Sequence, residues 1–79
     1  MSINVVFNSP NYQVLEYPEL NAFELVNHAR STEALIHGEM ASVLRTNLQN
    51  LFAVDPTEEA VDEMIGGYEA LMNLPVRYH

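Results

Sequence analysis

Seventy-nine residues make one domain, and a chain of this size buries only about 60–65% of the surface its unfolded form exposes, so its margin of stability is thin. Eleven acidic residues against three arginines, no lysine and a net charge of −8 argue against direct nucleic-acid binding, which draws on Lys and Arg to neutralise phosphates, and against anionic membrane surfaces. The chain has no cysteine, which excludes disulfides and thiolate metal sites.

From the N-terminus, Ile3-Asn4-Val5-Val6-Phe7 is rich in β-branched and aromatic residues, and strict alternation would put Ile3, Val5 and Phe7 on one face of a strand. Asn8-Ser9-Pro10-Asn11 is a dense turn signal, and Tyr12-Gln13-Val14-Leu15-Glu16-Tyr17 reads as the second strand of a hairpin. Pro18 cannot donate to a sheet ladder and stops it. Phe23-Glu24-Leu25-Val26 resumes a strand. Asn27 to Ser31 is turn-like, and Thr32-Glu33-Ala34-Leu35-Ile36 is its antiparallel partner, with a helical turn as the alternative reading.

After His37-Gly38 the apolar period changes from two to about 3.6. Met40, Val43, Leu44, Leu48, Leu51 and Phe52 form one stripe, with Ser42, Arg45, Thr46, Gln49 and Asn50 opposite, which predicts a helix over 39–53. Asp55-Pro56-Thr57-Glu58 opens a second helix, capped by Asp55 or Thr57. Its stripe is Val61, Met64, Ile65, Tyr68, Leu71 and Met72. Gly66-Gly67 inside it signals a bend or a backbone passing close, and Leu74-Pro75 ends it before a short tail, Val76-Arg77-Tyr78-His79. Strands gathered ahead of helices predict an α+β domain: a small antiparallel sheet of three to four strands, covered on one face by two C-terminal helices, in the order β-β-β-β-α-α.

Groups that could carry chemistry are sparse. His28, His37 and His79 lack metal-ligand spacing. Ser9, Ser31 and Ser42 sit in two turns and on a helix face, away from any nucleophile elbow. The three glycines match no phosphate-binding fingerprint. The reading is therefore no catalytic residue, no metal and no cofactor. One feature has a functional edge: Glu58, Glu59, Asp62, Glu63 and Glu69 would line the outer side of the second helix as an interaction face for a basic protein partner. The plain alternative is that an amphipathic helix simply puts its charge outward. An open sheet edge and a marginal core also favour a homodimer. No apolar run approaches the roughly 20 residues that span a bilayer, and the N-terminus lacks the pattern of a signal peptide, so the expected location is the cytoplasm. Two other functions compete with an interaction or regulatory module. One is a small-molecule site or minor enzyme between sheet and helices, lined by Tyr12, Tyr17 or Tyr68 with an arginine nearby; the other is acidic mimicry of DNA.

The residues Val5-Val6-Phe7-Asn8-Ser9-Pro10-Asn11-Tyr12, Phe23-Glu24-Leu25-Val26 and Ile36-His37-Gly38-Glu39 resemble a family of short betaproteobacterial proteins known as domain of unknown function 3567. The closing pattern carries the resemblance furthest: Pro56-Thr57-Glu58-Glu59, Val61-Asp62-Glu63, Gly67-Tyr68, Leu71-Met72 and Pro75-Val76 follow in order before His79. The resemblance implies a bacterial, stand-alone domain and assigns no functional residue.

Overall fold

A computed structural model describes residues 2–75. Four strands come first: β1 (Asn4–Asn8), β2 (Tyr12–Tyr17), β3 (Ala22–Asn27) and β4 (Thr32–His37). Two helices follow, α1 (Glu39–Val54) and α2 (Glu58–Gly66), and then a two-residue strand, β5 (Leu74–Pro75). The sheet is antiparallel throughout, and its spatial order is the chain order, β1 to β5. The expected order β-β-β-β-α-α is therefore found, with β5 added on the β4 edge. Thr32–His37 is a strand and not a helical turn. Val76-Arg77-Tyr78-His79, expected as a short tail, lies outside the described residues.

Strict alternation misreads β1. The register runs Val5 opposite Leu15 and then Phe7 opposite Val14, so Val6 is the extra residue of a β-bulge. A bulge turns two neighbouring side chains toward the same side. Val6 and Phe7 accordingly both pack on the core, while Ile3 and Val5 are exposed.

The core lies between one sheet face and the two helices. Val14, Phe23, Leu25, Ala34 and Ile36 come from the sheet, Ala41, Leu44 and Leu48 from α1, Val61 and Ile65 from α2, and Met72 closes one end. The α1 stripe is rotated from the one expected. Ala41 is fully buried, whereas Met40 and Val43 are half in solvent and Phe52 is at the margin. Two causes act together. The small Ala41 lets the row Ala41, Leu44, Leu48 approach the sheet, and Arg45 anchors the other flank. Arg45, expected on the solvent side, instead donates from Nε to Glu16 (3.0 Å) and from Nη1 to Asn21 (2.9 Å). Its guanidinium lies 5.2 Å from the centre of the Phe23 ring, within cation–π range.

Gly38 precedes α1 with φ +65° and ψ −138°. This is a conformation L side chains rarely adopt, so glycine is required there by the backbone alone. At the other helix, Thr57 is the cap: its hydroxyl accepts from the Ala60 N–H at 3.3 Å. The second helix is shorter than the apolar pattern predicts. It ends at Gly66, and Glu69–Leu71 forms a separate 3₁₀ turn. Gly66 sits beneath the Tyr12 hydroxyl, where a Cβ would lie 3.5 Å from that oxygen. The glycine pair therefore marks both a helix end and a close approach.

Candidate functional site

The acidic segment divides into two sets once folded. Glu58, Glu59 and Glu63 are exposed on α2. Glu58 and Glu59 occupy its first turn, where negative charge also complements the helix dipole. Asp62 and Glu69 are half-buried and turned toward the sheet. Glu69 is not on α2 at all, because the helix stops three residues earlier.

Asp62 and Glu69 anchor a polar network at the end of the sheet that carries the β1–β2 and β3–β4 turns. The Ser9 hydroxyl accepts from the N–H groups of Asn11 (3.2 Å) and Tyr12 (3.1 Å) and donates to Asp62 Oδ1 at 2.6 Å. Asn11 Nδ2 donates to the other Asp62 oxygen at 2.8 Å. The Tyr12 hydroxyl and Asn27 Nδ2 donate to the two oxygens of Glu69 at 3.0 and 3.1 Å. Asn27 also closes its own turn, since its Oδ1 accepts from the Arg30 N–H. Arg30 reaches Glu69 only at 3.8 Å with its side chain 74% exposed, a pair that adds little to stability. Burial, and then the hydrogen bond to Glu69, push the Tyr12 hydroxyl above its ordinary value of 10.0. Sequence reasoning named Asp62 and Glu69 but missed Ser9, Asn11 and Asn27 as their donors. The turn signal at 8–11 placed those donors on a loop without indicating what the loop would meet.

The opposite face of the sheet carries no helix. Val5, Leu15, Glu24 and Leu35 run across it in register. Glu24 is buried there, and the Tyr17 hydroxyl donates to it at 2.7 Å. That hydrogen bond, followed by burial, pushes the Tyr17 hydroxyl up to about 12. A tyrosine whose folded pKa exceeds the unfolded value supports the fold below pH 10 and loses that support as pH climbs from 10 to about 12. Ultraviolet titration of the folded protein should therefore show a phenolate step near pH 12 that Tyr17→Phe removes. A titration complete by pH 11 would contradict the Tyr17–Glu24 contact.

Tyr12 and Tyr17, alternatives for lining a small-molecule cleft in the competing reading, lie on opposite faces of the sheet, as the registers Tyr12–Asn27 and Tyr17–Ala22 require. Tyr68 lines a depression of about 260 Å³ with Glu39, Met40 and Val43. His28 contacts Asn8 in the β3–β4 turn, and His37 ends β4 at the far end of the same hairpin. His79 lies outside the described residues. Among the described residues no group of three or more His, Asp or Glu is placed to hold a metal. No helix among them is long and apolar enough to cross a membrane.

Four antiparallel strands with two helices on one face define a small α+β domain. The chain belongs to the family described as protein of unknown function (DUF3567), whose model matches residues 3–79. It is 32% identical over 85 residues to Protein BTH_I0359 of Burkholderia thailandensis, an alignment that covers 98% of this chain and all of that protein. No solved structure matches it.

Proposed function

We propose that the domain is a non-enzymatic interaction or regulatory module of the bacterial cytoplasm that presents Glu58, Glu59 and Glu63 to a basic protein partner. The observation behind this reading is the division of the acidic segment. Asp62 and Glu69 hold the fold together, while the other three carboxylates stand in solvent on one short rigid helix. Among the described residues these three make no inward hydrogen bond of the kind Asp62 and Glu69 make, and their summed field favours a cationic surface. The polar groups best suited to chemistry, Ser9, Tyr12, Asp62 and Glu69, are bonded to one another, which favours a binding role over a catalytic one.

The test is a pull-down from bacterial lysate at low and high salt, with wild type beside a Glu58→Gln, Glu59→Gln, Glu63→Gln variant. A partner retained by wild type at low salt, and lost both at high salt and with the variant, is the expected result. Equal retention by the variant, or no partner at either salt, would remove this reading.

A further inference from the structure

We infer that α1 pairs with α1 of a second copy of this chain, antiparallel about a two-fold axis that passes between Asn47 and Asn50. Three observations converge on this face.

The first is charge. The chain carries −8, so two copies repel each other over most of their surface. Between Met40 and Val54 the only charged side chain is Arg45, and it is turned to the sheet and bonded to Glu16 and Asn21. From Met40 to Val54 the outer side of α1 is thus a neutral strip on a strongly anionic molecule, with Glu39 standing at its N-terminal end. Interface cores are depleted in charge in the same way. A basic partner would be drawn to the carboxylates instead, so a neutral strip is suited to a copy of the chain itself.

The second is exposure. Val43 is 51% and Val54 84% exposed, and Asn47 and Asn50 are exposed between them. The apolar side chains of this strip are therefore left over after the core has formed. Depressions of about 370 and 260 Å³ both adjoin Val43 and the exposed Glu39 at the start of the helix, one running on to Thr46 and Asn47 and the other to Met40 and Tyr68. Such hollows beside a helix ridge can receive the side chains of a facing helix.

The third is symmetry. Val43, Asn47, Asn50 and Val54 follow spacings of four, three and four, which is the 3–4 alternation of a coiled-coil seam. The row also reads the same in both directions. A two-fold contact requires residue i to meet j while j meets i. In the antiparallel arrangement Val43 of each copy meets Val54 of the other, and Asn47 meets Asn50. Each asparagine amide offers both donors and an acceptor, so the two asparagine pairs satisfy each other and fix the register. The overlap from Val43 to Val54 is about 18 Å long, which makes a small interface and a concentration-dependent dimer.

The experiment is the solution mass of the full chain by sedimentation over a range of concentrations and salt. The expected result is a monomer–dimer equilibrium with a monomer of 8.9 kDa, tightening as salt rises because the repulsion between copies is screened. That salt dependence is opposite in sign to the one expected for a basic partner, so each idea can fail without the other. Val43→Glu should weaken the dimer at least about tenfold with an unchanged circular dichroism spectrum, since the site is exposed. Leu35→Glu, on the uncovered sheet face, should leave it intact. A wild type that stays monomeric at every concentration and salt would overturn the inference, as would a dimer broken by Leu35→Glu and untouched by Val43→Glu.

Discussion

Phe23→Ala is expected to leave the domain barely folded at room temperature. Phe23 is the largest fully buried side chain among the described residues, set in β3 between β2 and β4 beneath α1. Removing a buried phenylalanine costs about 3–5 kcal/mol, the transfer free energy plus the cavity left behind. A chain of this length has a total stability of roughly 4–12 kcal/mol, so the loss is comparable with the lower end of the whole. The ring also lies under the Arg45 guanidinium, and its removal loosens the contact that sets the rotation of α1. Urea unfolding followed by circular dichroism should show the midpoint collapse for Phe23→Ala and shift much less for Phe23→Leu, which keeps most of the volume. A loss under about 1 kcal/mol for the alanine variant would mean that the ring is not in the core.

The second large effect is expected at Asp62. Asp62→Ala removes two hydrogen bonds to a charged acceptor, from Ser9 and Asn11, each of a kind that contributes about 1.5–3 kcal/mol when sheltered. Asp62 is half-buried, and the freed Ser9 hydroxyl can turn to the Tyr12 carbonyl at 3.4 Å. The net loss should therefore be about 2–3 kcal/mol and not the full sum. Glu63→Ala, one residue on and exposed, should change stability by under about 0.5 kcal/mol. Parallel unfolding curves of the two variants make the comparison. Equal effects would mean that Asp62 belongs with the solvent-facing carboxylates after all.

The contrast between Asp62 and Glu63 also marks where the sequence stopped being readable. Strands and helices emerged because alternation at Tyr12–Tyr17 and the 3.6 period after Gly38 are local signals. The β1 bulge was hidden, since Val5 and Val6 are interchangeable as letters and only the pairing register decides which one is extra. The end of α2 was half-visible: Gly66-Gly67 gave a warning, but Tyr68, Leu71 and Met72 continue the apolar period across it. The rotation of α1 depended on where Arg45 would find Glu16 and Asn21, some 29 and 24 residues away. The acidic segment looked uniform for the same reason. What separates Asp62 and Glu69 from their neighbours is the pair of turns that meets them, and those lie more than forty residues earlier in the chain.

That separation bears on the order in which the molecule assembles. Each strand of the first four is bonded to the next in sequence, so the meander closes through short loops and at low entropic cost. The bonds from Ser9 and Tyr12 to Asp62 and Glu69 span 53 and 57 residues. They cannot form during synthesis until the segment through Glu69 has left the ribosome. Until then Val61 and Ile65 are missing from the core, and the sheet is left with part of its apolar face open to water.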